Sequence, residues 1–522
     1  MKNNIIFEKI FRHLYISRII FVLFISFYAF TVFSTYNLPQ HILTDAAYYL
    51  MGAENIASGN GFVSYNVGYL ADTSVNDFKT LVPITRYQPF YSFLVGNTAH
   101  ISGTSVLLAA QIVNFIAYGI FLIMWLLLYK KIFQNTKLFF IASLFLLFTS
   151  GIFTYIIPPH TEMLFLALLG ILGNTLYWWH KTENSKYKYL FTALLASITV
   201  LILLTRYAGI GMVLGFGLTF FFFLLKLKWK EIAKHIVLFG TIFVTGFGLW
   251  AWRNLQAAGT VTSKFPDNYH GTLFDWERII EILNNFITFS LGLPSSFEKY
   301  YFLLLLPLMF FAGWLIYKKS FSTNPLNIWF VVSLLVYVAM IVYLGIGNRA
   351  VSRENGFMRF FFLTQPFLIG VIMNMIPSFR LLPQTFFTKL SQLFILGIVA
   401  ISLLSGVNRT RIYFQNLPNY DIQQDFYSEI KNTATQNDLI LSNEWQNVSA
   451  NTSLPIVQIN YLNDIDSLKT KYKNKYSKVY LALHKDVGIT YREGVHTWEK
   501  LLENKIYTVI TENEETIFVE IE

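Results

Sequence analysis

From residue 15 to residue 406 the chain alternates long apolar runs with short polar breaks. A helix needs about 20 apolar residues to cross the hydrocarbon core of a bilayer. On that criterion about eleven spans are predicted, near 15–36, 105–129, 138–157, 163–180, 188–205, 207–225, 234–252, 301–317, 326–346, 359–375 and 389–406. Only "TRYAG" separates the fifth span from the sixth. The first run lacks a small-residue cleavage site and reads as a retained span. Beyond about residue 415 the period changes. "QDFYSEIKNTA" has helical spacing, "DLILSN", "PIVQIN" and "SKVYLALH" read as strands, "HTWEKLLENKI" as a helix, and "YTVITENEETIFVEI" as a closing hairpin. The pattern therefore predicts an α-helical polytopic membrane domain, residues 1–406, followed by a small α/β domain, residues 407–522.

Two sizeable polar intervals interrupt the spans, at 37–104 and 253–300. The first contains "DAAYYLMGAENIASGNGF", in which Ala46, Tyr49, Leu50, Ala53, Ile56 and Ala57 follow a helical period, with Glu54, Asn55 and Ser58 on the other face. That spacing predicts an amphipathic helix lying at the membrane surface. Asp45 stands at its head, where an acid is favoured by the helix dipole and the unpaired N–H groups. Two readings of Asp45 are open, a helix cap and a general base. "RYQPFYSFLVG", from Arg86, is a second short segment, too brief and polar to span.

Composition fits the pattern: 54% of residues are hydrophobic, 18% aromatic and 13% charged, against roughly 25% charged in soluble domains. The net charge of +10 is unevenly spread. Residues 1–406 hold 28 Lys+Arg against 14 Asp+Glu, and residues 407–522 hold 12 against 16. The basic residues flank spans, as topology requires, so the positive charge gives no support to nucleic-acid binding. With the N-terminus cytoplasmic, Lys130, Lys131, Lys137, Lys226, Lys228, Lys230, Lys318 and Lys319 all fall in inner segments, and eleven spans leave the C-terminal domain outside. The absence of cysteine excludes disulfides, thiolate chemistry and Cys-based metal sites.

Arginine, in contrast, gathers in the outer segments: Arg86, Arg206, Arg253, Arg278, Arg349, Arg353 and Arg359. Its planar fork suits phosphate recognition, and interfacial snorkelling is the competing account of each. Alongside lie "IPPHTEMLF", with His160 and Glu162 at a span start, "TRYAG", with Arg206 and Tyr207 at an outer turn, and "WRNLQAAGT", with Arg253 and Asn254 at a span exit. Glu162 follows Thr161 and could cap its helix. His160 and His270 could hold a divalent metal with Glu162, although scattered histidines are more often structural. Tyr48 and Tyr49 suit interfacial anchoring or sugar stacking.

In their order and sidedness, "DAAYYLMGAENIASGNGF", "TEMLF", "TRYAG" and "WRNLQAAGT" resemble the polyprenyl-phosphate-sugar glycosyltransferases of the C-type membrane fold. That family includes protein O-mannosyltransferases, lipid A aminoarabinose transferases and bacterial lipopolysaccharide-core sugar transferases. The resemblance covers about residues 10–370. It departs at Gln88-Pro89, where the family carries paired prolines. It implies an inverting transfer of a monosaccharide from a polyprenyl phosphate. Asp45 would be the base and Glu162 a second acid orienting sugar or acceptor. Arg86, Arg206, Arg253 and Arg359 would hold the lipid phosphate. Tyr48, Tyr49, Tyr87, Tyr207, Asn254, Arg349 and Arg353 would line the substrate site. No cofactor is required by this chemistry.

A lipid-linked sugar flippase is the rival from another class, but transporters show internal repeats and midplane charges that this sequence lacks. A surface-polysaccharide polymerase or ligase would use similar donors. The sequence therefore predicts a multi-pass glycosyltransferase of the bacterial cytoplasmic membrane, acting at its outer face on a lipid, glycan or protein acceptor.

Overall fold

In the computed structural model the described residues are 25–32, 44–65, 78–133, 135–147, 159–261, 276–291, 324–347, 361–378, 420–459, 464–472, 475–485, 498–503 and 505–522, with single positions between 397 and 408. The chain divides into two compact units. One comprises residues 1–35, 115–156 and 161–416; the other comprises residues 36–114, 157–160 and 417–522.

The second unit begins with helix α1 (Thr44–Ala57), a short antiparallel hairpin of β1 (Val63–Tyr65) and β2 (Leu81–Pro83), and helix α2 (Pro89–Ser102). Gly59 and Gly61, both at positive φ, turn the chain out of α1, a conformation that glycine adopts without strain. Proline at the start of α2 loses nothing, because that N–H has no intrahelical partner. The two helices pack closely. A Cβ on Gly96 would stand 2.5 Å from the Ala53 carbonyl oxygen, so only glycine permits this approach.

This packing corrects the expectation of an amphipathic surface helix. Ala46, Ala47, Tyr48, Tyr49, Leu50, Met51 and Ala53 are all buried, and so is Asn55. The Asn55 amide donates to the Met51 and Val63 carbonyls. Its polar face is therefore tied into the β1 turn. The spacing is helical, but the helix is enclosed on several sides.

The first unit holds helices α3 (Val106–Ile132, of which 115 onward belongs here), α4 (Thr136–Leu147), α5 (Glu162–Lys181), α6 (Ser185–Thr205), α7 (Ile210–Leu224), α8 (Trp229–Ala258), α9 (Trp276–Leu291), α10 (Pro325–Gly347) and α11 (Gln365–Ser378). Among the described residues six helices are long and apolar enough to cross a membrane: Val106–Ile132, Glu162–Lys181, Ser185–Thr205, Tyr207–Leu224, Trp229–Ala258 and Pro325–Tyr343. Shorter apolar helices cover Lys137–Leu147 and Gln365–Asn374. The predicted span 301–317 lies outside the described residues, as do most of 15–36 and 389–406.

Small residues let these helices approach, the usual device where lipid removes any hydrophobic drive between them. Gly215 of α7 abuts the Ser333 backbone of α10, and Gly173 of α5 faces the Trp329 ring. The α5 and α6 helices also pack together, as do α6 and α8. The "TRYAG" break is real: Arg206 is extended (φ −160°, ψ 124°), and a short 3-10 turn over Tyr207–Gly209 leads into α7.

The rest of the second unit is a five-stranded sheet in the order β4-β3-β5-β7-β6. Its strands are β3 (Leu439–Ser442), β4 (Ile456–Gln458), β5 (Val479–His484), β6 (Tyr507–Glu512) and β7 (Thr516–Ile521), with helices α12 (Tyr420–Thr433), α13 (Trp445–Thr452), α14 (Asp464–Lys471) and α15 (Trp498–Leu502). β3 runs parallel to β4 and β5, while β7 runs antiparallel to both of its neighbours, β5 and β6. β3 and β5 are buried along their whole length, which is why they read as continuous apolar runs. Helices α13 and α14 have no counterpart among the elements predicted from the sequence.

Candidate active site

Two groups of polar side chains contain most of the residues singled out in the sequence. The first belongs to the second unit and is built on α1 and the segment entering α2. Asp45 lies in the first turn of α1, so it is a helical residue and not the residue before the helix. The Tyr87 hydroxyl donates to Asp45 Oδ1 at 3.0 Å. Tyr87 is buried, and both burial and the Asp45 carboxylate raise its pKa well above the ordinary tyrosine value, with Arg86 partly opposing them. Tyr87 therefore keeps its proton and remains a donor to Asp45 throughout the physiological range.

Aromatic rings hold Tyr87 in place. Tyr48 stacks on it with centroids 5.0 Å apart and planes at 22°. Tyr49 meets it edge-on at 5.5 Å, and the Tyr49 hydroxyl donates to Gln88 Oε1 at 3.1 Å. Gln88 is where the family resemblance fails, and here its amide serves as the buried acceptor that orients Tyr49. The Tyr49 carbonyl in turn accepts from the Ser92 hydroxyl at 2.8 Å, joining α1 to α2. Tyr48 and Tyr49 are thus packing residues of this cluster rather than exposed anchors. Trp445, from α13, touches Tyr48 with centroids 5.3 Å apart.

The second group belongs to the first unit. Glu162 opens α5 and is fully buried, with its Oε1 2.5 Å from Arg206 Nη1. Arg206 Nη1 also donates to the Thr161 hydroxyl at 3.4 Å. The residue before α5, Thr161, makes no side-chain capping bond, and the Glu162 carboxylate is engaged by Arg206. A buried charge is expensive unless paired, so each of these two residues accounts for the other. Tyr337 of α10 is close enough to interact electrostatically with both.

Near the end of α8, Tyr207 accepts a hydrogen bond from the Trp250 indole at 2.8 Å and from the Asn254 amide at 3.4 Å. Asn254 also donates to the Val261 carbonyl at 2.9 Å, while its Oδ1 receives Arg253 Nη1 at 3.0 Å. The Arg253 guanidinium lies over the Trp250 ring, 4.9 Å from its centroid. "TRYAG" and "WRNLQAAGT" are thus brought together, with Tyr207 as the shared acceptor. Trp250 and Tyr337 do not stand out in the sequence, because an aromatic residue within a span reads as ordinary apolar content.

Arg349, Arg353, Arg359 and His270 lie outside the described residues. His160 is buried. Among the described residues no group of three or more His, Asp or Glu side chains could hold a metal ion.

No protein-family model and no curated protein matches the sequence. Solved structures do match in three dimensions. ArnT from Cupriavidus metallidurans, a lipid A aminoarabinose transferase whose structure was determined bound to undecaprenyl phosphate, superposes with a TM-score of 0.58 at 11% identity, over 96% of this chain and 97% of its own. The oligosaccharyltransferase AglB from Archaeoglobus fulgidus, in complex with an inhibitory peptide and a dolichol-phosphate, gives 0.57 at 10% identity, over 92% of this chain and 70% of its own. At such identities the likeness is one of fold, and the chain accordingly has the C-type membrane glycosyltransferase fold that ArnT and AglB share.

Proposed function

We propose that this protein is an inverting glycosyltransferase that moves a monosaccharide from a polyprenyl phosphate, undecaprenyl-linked, to a lipid, glycan or protein acceptor. It would work at the outer face of a bacterial cytoplasmic membrane, with its N-terminus cytoplasmic and its C-terminal domain outside. The observation that carries this reading is the Asp45 carboxylate at the start of α1, fixed by the hydroxyl of a buried tyrosine, in a chain with the fold of two lipid-phosphate-bound structures.

In the proposed step the acceptor oxygen or nitrogen attacks the anomeric carbon with its lone pair. The bond from that carbon to the phosphate oxygen breaks, and its electrons leave with the polyprenyl phosphate. Asp45 takes the acceptor's proton as general base. The Tyr87 hydroxyl, bonded to Oδ1, holds the carboxylate in one orientation for that proton transfer. Arg86, Arg206, Arg253 and Arg359 stabilise the charge that develops on the departing phosphate. Glu162 acts through Arg206, keeping its guanidinium in one orientation. Tyr207, Asn254, Arg349 and Arg353 line the substrate path, with Tyr48 and Tyr49 shaping the wall around Asp45.

The test is transfer from synthetic undecaprenyl-phosphate sugars by the purified protein in nanodiscs, with the anomeric configuration of the product read by NMR. An inverted product supports the proposal. A retained configuration, or movement of intact donor lipid between leaflets without transfer, rejects it.

A further inference from the structure

The C-terminal domain contributes a side chain to the cluster around Asp45. Trp445 is the first residue of α13, and its indole is fully buried. It meets Tyr48 edge-on, with planes at 60°. Tyr48 stacks on Tyr87, and Tyr87 donates to Asp45. The rings therefore form a continuous row from the C-terminal domain to the carboxylate.

The far end of that row is firmly anchored. Asn443, two residues before Trp445, donates to the His484 carbonyl at 2.8 Å and accepts the His484 N–H at 3.0 Å. It thereby ties the turn after β3 to the last residue of β5. The Glu444 N–H donates to the Ser442 hydroxyl at 3.0 Å. Trp445 is consequently fixed to the central strands of the sheet and not carried on a loose connection. Two further contacts join the first polar interval to the C-terminal domain: Lys79 Nζ to Asn437 Oδ1 at 2.8 Å, and the ring of Phe78 against Tyr472 at 5.4 Å.

The indole N–H has no hydrogen-bond partner among the described residues. A buried tryptophan normally finds one, so hydrogen bonding does not account for this residue. What remains is the ring, a large rigid surface set against Tyr48.

We propose that Trp445 is a positioning residue for the transfer reaction, bracing Tyr48 and Tyr87 so that the Tyr87 hydroxyl stays on Asp45. This rests on the transferase reading, and it makes the C-terminal domain part of the catalytic apparatus. Aromatic pairs prefer fixed offset or edge geometries, so a ring at position 445 suffices and the N–H does not matter. Misplacement of a catalytic group by about 1 Å can reduce rate by roughly 100-fold.

The experiment compares Trp445→Phe and Trp445→Ala in the full-length protein, after size-exclusion and circular dichroism checks. Trp445→Ala is expected to lower kcat by roughly tenfold or more, to leave donor KM within about twofold, and to move the acid limb of the kcat profile upward. Trp445→Phe is expected to keep both kcat and the acid limb close to the wild type. Tyr48→Leu cuts the same row from the other side. It should reproduce the alanine phenotype and add nothing to it in the double variant, as residues of one chain of contacts do. This second cut stands in if Trp445→Ala does not fold. Unchanged kcat in either cut, or a phenylalanine variant as impaired as alanine, overturns the proposal.

Hydrogen exchange separates this proposal from the transferase reading. If no donor reacts even with the wild type, that reading fails, and exchange over residues 44–57 then judges the brace alone. Faster exchange in Trp445→Ala but not in Trp445→Phe sustains it, and equal exchange in all three proteins overturns it.

Discussion

Glu162 Oε1 and Arg206 Nη1 meet at 2.5 Å where neither residue is more than 8% exposed. The glutamate opens α5, and the arginine is the extended residue that follows α6. Removing one partner of such a pair strands the other, which typically costs about 3–5 kcal/mol. Glu162→Gln should therefore lower the thermal midpoint of the purified protein markedly. Glu162→Gln with Arg206→Gln should recover part of the loss, because no charge is then left alone. Equal loss in the single and double variants would show that the pairing is not what stabilises this end of the bundle.

Tyr87→Phe isolates the hydrogen bond to Asp45, since the phenyl ring keeps the stack on Tyr48. A hydroxyl donating to a carboxylate favours the charged form. Without it Asp45 binds a proton at higher pH, so the acid limb of kcat moves up. A hydrogen bond to a charged group contributes about 1.5–3 kcal/mol, and kcat should fall by at least about tenfold. A steady-state pH series on both proteins reads both effects.

Six of the eleven predicted spans coincide with described helices long and apolar enough to cross a membrane, and they were legible because about 20 consecutive apolar residues leave few alternatives. The strands "DLILS" and "VYLALH" were legible for a related reason, being buried on both faces. The candidate site was legible in its parts. Asp45, Glu162, Arg206, Arg253 and Asn254 could be chosen as polar residues at the ends of apolar runs. Their partners could not. The Tyr207–Asn254 contact joins residues 47 positions apart, and Tyr48–Trp445 joins the first polar interval to the C-terminal domain. No local period encodes such a meeting. The burial of α1 escapes the sequence for the same reason: spacing shows which residues share a face, but not that other elements cover the opposite face.

The close approach of α1 and α2 yields a steric prediction. A methyl group on Gly96 would meet the Ala53 carbonyl at 2.5 Å and Ile56 Cβ at 2.9 Å. Gly96→Ala should cost about 1–3 kcal/mol through forced backbone shifts. At Gly217 of α7 a methyl group would find open space, with nothing within 4 Å. Gly217→Ala should therefore be neutral or slightly stabilising, alanine being the better helix former. Thermal midpoints of the two variants, measured side by side, check the contrast.

Glu54 supplies a pH dependence whose sign is fixed. Burial raises its pKa, partly offset by Lys431. The unfolded chain releases this proton at lower pH than the folded one. The ionised form is thus penalised only in the folded state, and stability is lost as pH rises through the folded pKa. Glu54→Gln should therefore be more stable than wild type at neutral pH. The difference should vanish below the ordinary carboxylate range, where Glu54 is protonated in both states. Denaturation midpoints at pH 7 and about pH 3 test this, and a constant difference across that range would contradict it.

In the proposed mechanism Asp45 takes the acceptor's proton. The most direct test is single-turnover transfer by Asp45→Asn, which keeps the size of the side chain and an oxygen able to accept from Tyr87. If Asp45 is the base, the variant folds, binds the donor as the wild type does, and loses roughly 100- to 10,000-fold in the transfer step. Transfer at the wild-type rate would rule out Asp45 as the base and place the base elsewhere.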